Sequence, residues 1–428
     1  MSIQKIYQKL KEQDFQFSTD SRNIQPGVIF FALKGSNFNG NEYATQAIEK
    51  GASWVVIDEA DKSFGDRCIV VDDVLKALQS VSSERRKELN IPVVAIGGSN
   101  GKTTTKELVA GVLSQKYKVH VTPGNFNNHI GVPITLLRCP EDAEMMVVEL
   151  GANHPGEIAE LCEISSPDFG LITNIGKEHL EGFGDLEGVA RAESELYQYL
   201  HAHGGKIFIN MNDPWLKNMS KRFSTFMGYG HPSNADYFIS GDLHSIIPGI
   251  KGEIEGHTYE SVLMGAYNFD NILAATAIGK YFDVPVDQMQ KAIQSYVPIN
   301  NRSQIVETTH NWILLDAYNA NPSSMEAALK GFATLDRSPK IAILGDMFEL
   351  GIHSASEHLN MVELALSLPL DEVYFAGAEF AKANRGKGHF FHSYETLESH
   401  FKEHPLNKTC VLIKGSRGMA MERLLNVL

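Results

Sequence analysis

Between residues 97 and 107 the chain reads GGSNGKTTTKE, in which three glycines precede a lysine and a run of threonines. Glycines such as Gly98 and Gly101 let backbone N–H groups turn toward an anion, while Ser99, Asn100 and Thr104 add short polar groups. Lys102 supplies a mobile positive charge, and the Thr103 hydroxyl is placed to ligate a magnesium ion carried by a nucleotide. The apolar run IPVVAI (91–96) reads as a buried strand, and Leu108, Val109, Val112 and Leu113 mark one face of a helix. Strand, glycine loop and helix in this order make a phosphate cradle, and that context disfavours an ordinary glycine-rich turn. Position 96 is Ile, so the effective motif is the shortened Gly98-x-x-Gly101-Lys102-Thr103.

Other chemistry-bearing residues follow apolar runs in the same way. Glu149 ends MMVV, where a carboxylate at a strand exit could hold magnesium; a solvated loop acid is the alternative. The strand LITN leads into IGKEHLEGFG and places His179 at another exit, although a lone histidine is more often structural. Toward the C-terminus, WILLDAYN, KIAILGDM, EVYFAG and TCVLIKGS carry Asp316, Gly345-Asp346, Gly377 and Lys414-Gly415-Ser416 at their ends. Ligands of open parallel sheets gather beyond the carboxyl ends of strands, so these positions are candidates.

The elements that must position them alternate short apolar runs with helix-compatible sequence, the pattern of parallel α/β architecture. A chain of 428 residues, 43% hydrophobic and 21% charged, is long enough for more than one core. The expected fold is therefore α/β with three domains. A small α/β module occupies 1–88, a central parallel-sheet domain with the phosphate loop 89–300, and a Rossmann-like α/β domain 301–428. The formal charge, 38 minus 52 or −14, argues against a nucleic-acid partner. Cys68, Cys139, Cys162 and Cys410 form no CxxC pair, which excludes a disulfide framework or a cysteine zinc site as the default. No apolar run approaches the roughly 20 residues needed to cross a bilayer, so no stable membrane insertion is expected and the chain reads as a soluble, cytoplasmic protein.

Taken together these segments resemble the Mur ligases, and the resemblance covers nearly the whole chain. The shortened phosphate loop is similar to theirs and to that of the folylpolyglutamate synthases. The segment TNIGxxHLEGFG looks like the one whose histidine binds a second magnesium in that family, which carries His179 over as a metal group. In the following helix the family places a lysine carbamate; GVARAESEL has Glu193 there, a permanent carboxylate of shorter reach, with a surface helix acid as the alternative reading. STDSRNIQPGVIFFALKGSNFNG resembles the UDP-sugar-binding module and offers Ser21, Arg22, Lys34 and Gly35 as contacts. GNFNNHIGVP and ELGANHPGEI look like substrate loops, implicating Asn125, Asn127, Asn128, Asn153 and His154, although Asn-rich loops are commonly only turns.

GAYNFDNILAA resembles the adenine-binding segment, so Asn268 and Asn271 are candidate base contacts or, more plainly, helix caps. NNRSQIVE puts Arg302 where the family has a γ-phosphate contact, and DAYNANPSSM brings Asp316, Tyr318, Asn319 and Asn321 toward the nucleotide. The DAYNANP string, GDMFELG and LIKGSRGMAMERL match the branch that adds D-alanyl-D-alanine; the DYAH-type and DNPR segments of the diaminopimelate- or lysine-adding branches are absent. Lys414, Ser416 and Arg417 then become candidates for holding a peptide carboxylate, with surface salt bridging as the alternative.

The resemblance implies an ATP- and Mg²⁺-dependent amide ligase, expected to be monomeric. Its substrates would be UDP-N-acetylmuramoyl-tripeptide and D-alanyl-D-alanine. A carboxylate does not condense with an amine at neutral pH, so it is first phosphorylated by ATP; Lys102, Arg302 and magnesium at Thr103 and Glu149 would spread the developing charge. The amine then displaces phosphate. The rival readings are a related ligase adding a single amino acid or glutamate, and a phosphate-loop ATPase switch that makes no bond.

Overall fold

The computed structural model describes residues 2–232, 237–246, 249–299 and 301–428; position 300, the expected end of the central domain, lies outside them. The chain falls into two compact units, one made of Met1–Ala95, Lys118–Gly151 and Ala159–Asp168, the other of Ile96–Tyr117, Ala152–Ile158 and Phe169–Leu428.

In the first unit, four short strands pair in parallel in the order Phe17–Ser18, Ile29–Phe31, Trp54–Ile57, Cys68–Val70. The helix Val74–Leu89 starts where the Asp73 side chain accepts from Lys76 N, and ends at Asn90 in the left-handed region. Its face Val74, Ala77, Leu78, Val81 packs with Ile6, Leu10, Phe31, Ile134 and Leu137 into one core, a helical spacing that the sequence displays openly. Val119–Val121 and Met145–Glu149 form a parallel pair in the same unit.

The second unit holds the phosphate loop and two sheets. Phe169–Ile172, Lys206–Asn210, Met227–Gly230 and Ile239–Ser245 are parallel neighbours, but Ile250–Ile254 and His257–Ser261 continue the sheet antiparallel. The central sheet, expected to be parallel, is thus parallel in these four strands and mixed overall. A tight turn at Glu255 and Gly256, both with positive φ, reverses the chain between its last two strands. Helix Lys102–Leu113 packs on helix Tyr267–Tyr281, whose apolar residues are buried on nearly every side.

The C-terminal sheet runs Gln304–Glu307, Trp312–Asp316, Cys410–Lys414, Lys340–Gly345, Glu372–Ala376, His389–Phe391. Its first pair is antiparallel and the rest parallel. Because Asp316 pairs with Lys414 and Gly345 with Ala376, the carboxyl ends of these strands open at one edge. Among the described residues no helix is long and apolar enough to cross a membrane.

Candidate active site

The phosphate loop is bent by Gly98 (φ 112) and Gly101 (φ 81) and tied to the exit of strand Phe169–Ile172. Ser99 N donates to Asn174 O (2.9 Å), Asn100 N to Asn174 Oδ1 (3.1 Å), and the Ser99 hydroxyl to Gly176 O (3.1 Å). The Thr173 hydroxyl donates in turn to Asn100 O at 2.7 Å. A Cβ at Gly98 would stand 2.3 Å from Thr173 Oγ1 and 2.7 Å from Thr173 N, so the two segments leave no room for a side chain. Gly98→Ala is accordingly expected to lose nucleotide binding in calorimetry and to cost about 2 kcal/mol or more of stability through clash and positive φ. A variant with wild-type melting and nucleotide affinity would refute this packing.

Lys102 curls back over the loop. Its Nζ donates to Gly98 O, to Ser99 O (3.3 Å) and to Glu178 Oε2 (3.2 Å). The other Glu178 oxygen is buried and has no hydrogen-bond partner. Opposite stands Glu193, 1% exposed, whose Oε2 accepts from Gly98 N at 2.6 Å. The surface-acid reading of Glu193 therefore fails. It shares a face of helix Leu186–His203 with Val189, Leu196, Tyr197 and Leu200, all buried. Burial pushes its carboxyl up to about 7, with Lys102 opposing the rise and Glu178 adding to it.

Thr103 and Thr104 are buried at the start of the helix. Asn268 and Asn271 are buried too, and their side chains serve the scaffold: Asn271 Oδ1 accepts from the Thr105 hydroxyl (3.0 Å), its amide donates to Asn268 Oδ1 (2.8 Å), and Asn268 donates to Met264 O (2.7 Å). Helix capping does not describe them, since they lie within Tyr267–Tyr281.

His179 has φ 43 and begins a short helical turn; its Nδ1 lies 2.7 Å from Glu349 Oε2, and the imidazole holds that carboxyl below the usual carboxylate range. The C-terminal segment reaches the loop directly, because Asn321 Nδ2 donates to Asn100 Oδ1 at 2.9 Å while Asn321 Oδ1 caps helix Pro322–Ala333. Lys177 N donates to Ser323 Oγ (2.8 Å), and Lys177 Nζ pairs with Glu357 (2.7 Å).

At the C-terminal sheet edge, Lys414 Nζ lies 2.5 Å from Asp316 Oδ2 and 3.2 Å from Asn319 O. Its side chain is 3% exposed, so its charge is engaged inside the fold and surface pairing does not describe it. Ser416 is similarly enclosed, accepting from Phe348 N (2.9 Å) and donating to Ala320 O (3.3 Å). Arg417 is exposed; its guanidinium lies 5.7 Å from the Tyr318 ring, and that of Arg302 stacks on the same ring at 3.5 Å. Asp316, Met264, Tyr267, Ser303 and Phe332 line a small, largely apolar recess.

In the first unit, Asn127 Nδ2 donates to Glu149 Oε1 at 2.8 Å, and Asn128 Oδ1 accepts from Ile130 N and Gly131 N, while Asn125 is exposed. Ser21 is buried, and its carbonyl accepts from Lys50; Arg22 is exposed and bonded to Asp20; Lys34 lies between Asp58 (2.8 Å) and Glu59 (3.1 Å), next to exposed Gly35. Asn153 and His154 belong to the second unit, where the Glu157 carboxylate accepts from both of their backbone N–H groups.

Two acids escaped the sequence reading. Glu178 precedes His179 directly, and its bond to Lys102 and its electrostatic influence on Glu193 are tertiary facts with no sequence period. Glu349 lies within GDMFELG, whose glycine and aspartate drew attention to the strand end rather than to the acid beyond it.

The Mur ligase family catalytic domain matches residues 16–97, the Mur ligase middle domain 96–279, and the Mur ligase glutamate ligase domain 301–417. UDP-N-acetylmuramoyl-tripeptide–D-alanyl-D-alanine ligase of Bacillus subtilis is 34% identical over 95% of this chain and 91% of its own length; that of Escherichia coli is 33% identical over 96% and 93%. Among solved structures, MurF from Acinetobacter baumannii superposes with a TM-score of 0.88 at 27% identity, covering 98% of this chain and 97% of the other. The MurF ligase of Thermotoga maritima in complex with ADP gives 0.86 at 26%, covering 96% of each. With relatives above 30% identity along nearly its full length and a three-domain α/β fold in common, the chain belongs to the Mur ligase family.

Proposed function

We propose that the chain is the ATP-dependent ligase that joins D-alanyl-D-alanine to UDP-N-acetylmuramoyl-tripeptide, the activity named for its full-length relatives. The observation that carries this reading is the hydrogen bond from Asn321, within DAYNANP, to Asn100 of the phosphate loop: the segment marking the D-alanyl-D-alanine-adding branch sits on the nucleotide cradle itself. The domain limits proposed are 1–88 for the UDP anchor, 89–300 for nucleotide and 301–428 for the incoming amine. The protein is proposed to act as a cytoplasmic monomer.

ATP occupies the loop at the N-terminus of helix Lys102–Leu113, with Lys102 turning from Glu178 toward the phosphates, while the Gly98, Ser99 and Asn100 N–H groups, engaged by Glu193 and Asn174, fix the shape of the loop. Magnesium fits the oxygen donors that the second unit offers at the loop, namely the Thr103 hydroxyl and the buried Glu178 oxygen that lacks a partner, with His179, next to Glu178 in the chain, as the further ligand that the resemblance implies. Among the described residues no three His, Cys, Asp or Glu side chains gather as a group that could hold a metal ion. When bound, magnesium would neutralise phosphate charge. The tripeptide carboxylate attacks the γ-phosphorus, Lys102 and Arg302 stabilise the oxygens as the bond to ADP breaks, and the acyl phosphate forms. The dipeptide amine then adds to the acyl carbon, loses a proton and expels phosphate.

The deciding measurement is phosphate release from ATP with the UDP-linked tripeptide, with and without D-alanyl-D-alanine. Release should require the dipeptide and yield the pentapeptide by mass; release indifferent to it, with no such product, would reject the assignment.

A further inference from the structure

The loop after strand Lys340–Gly345 meets the segment 177–184 at several points. Glu349 Oε2 lies 2.7 Å from His179 Nδ1, Glu181 N donates to Glu349 O at 3.1 Å, and His353 Nε2 lies 2.9 Å from Gly184 O. Gly351 (φ 52) approaches so closely that a Cβ would stand 3.2 Å from Glu181 Cα. The two side chains that face each other both come from left-handed backbone, His179 at φ 43 and Glu349 at φ 62. Neither position uses glycine, the residue that adopts this conformation without penalty, so local strain is retained together with the two functional groups.

An ionised carboxylate only accepts hydrogen bonds, so the hydrogen between the pair sits on Nδ1. A neutral imidazole so fixed has its lone pair on Nε2, the arrangement in which histidines bind cations with a carboxylate behind them. We infer that Glu349 is a positioning residue for His179, contributed by the C-terminal segment, which selects the tautomer and ring orientation in which Nε2 can serve the cation that accompanies the nucleotide. Seating of the 345–353 loop and readiness of His179 become a single event. This rests on the reading of His179 as a metal group.

Full-length protein labelled with ¹⁵N-histidine tests it. In magnesium- and nucleotide-free buffer, the His179 signals, assigned by their loss in His179→Ala, should report the Nδ1–H tautomer. Glu349→Ala should give a mixture of tautomers, and Glu349→Gln, which keeps an oxygen acceptor, should remain mainly Nδ1–H. In turnover, Glu349→Ala should raise the magnesium concentration for half-maximal rate by ~10- to 100-fold, with KM for ATP changed by no more than about twofold. A contact that merely docks the loop predicts something else: a raised KM for the dipeptide, with tautomer and magnesium dependence unaltered, and that result overturns the inference. If His179→Ala itself leaves magnesium dependence unchanged while the tautomer still answers to Glu349, the metal reading of His179 is what has failed, and the inference goes with it.

Discussion

Lys102→Ala is expected to lower kcat by ~10³-fold or more, because the loop cation that meets the developing phosphoryl charge is removed from a water-poor site. Lys102 Nζ is held by Gly98 O, Ser99 O and Glu178, so the amine lies within the loop, and a rotation of its own side chain brings it to the phosphates. Lys102→Arg should not rescue it. A planar guanidinium cannot repeat the tight curl over two loop carbonyls, and a loss of ~10²-fold is expected for the mismatch in geometry. The measurement is single-turnover phosphate release at saturating substrates, supported by nucleotide affinity. Turnover of Lys102→Ala within tenfold of the parent would remove this lysine from the chemistry. A second effect has the same origin: with its cation gone, Glu193 loses the charge that opposes the upward push of burial, and its carboxyl rises further.

How much of this was legible follows from what each residue depends on. The phosphate loop could be read because its elements are contiguous: a strand run, glycines, a lysine and an apolar helix face lie within about two dozen residues. The strand exits at Asp316, Asp346 and Lys414 were legible for the same reason, yet the sequence could not tell that Lys414 folds back on Asp316, since the two are 98 positions apart and meet only through strand pairing. The antiparallel extension of the central sheet was missed although IKGEI alternates buried and exposed positions around a Glu255-Gly256 turn; its strands are short and polar, so the apolar runs beside them dominated the reading. Glu193 shows the limit most clearly. Its helix spacing with Val189, Leu196 and Leu200 places it on the inner face, but charged residues are so seldom buried that composition argues for the outer one.

Glu193→Gln is expected to stabilise the protein while damaging its function. The native carboxyl titrates near 4.5 when unfolded and is pushed up to about 7 in the folded protein, chiefly by burial. A folded value above the unfolded one means that this group's contribution is fully present below pH 4.5 and is lost as pH rises through about 7. That gap is worth roughly 3 kcal/mol at pH 8. Glutamine keeps an oxygen for Gly98 N and nearly the same volume but never ionises, so it should recover much of that penalty and flatten the decline between the two pH values. Denaturant melts at pH 4.5 and 8, without metal or nucleotide, provide the comparison; parallel pH curves for parent and variant would show that the buried carboxyl carries no such cost. Turnover should move the other way, falling by ~10²-fold, because a neutral amide no longer balances Lys102 or offers a charged oxygen at the loop. Greater stability with lower activity, from one oxygen replaced by an NH₂ group, would mean that the fold tolerates an unfavourable charge beneath Gly98 for the sake of the phosphate transfer made above it.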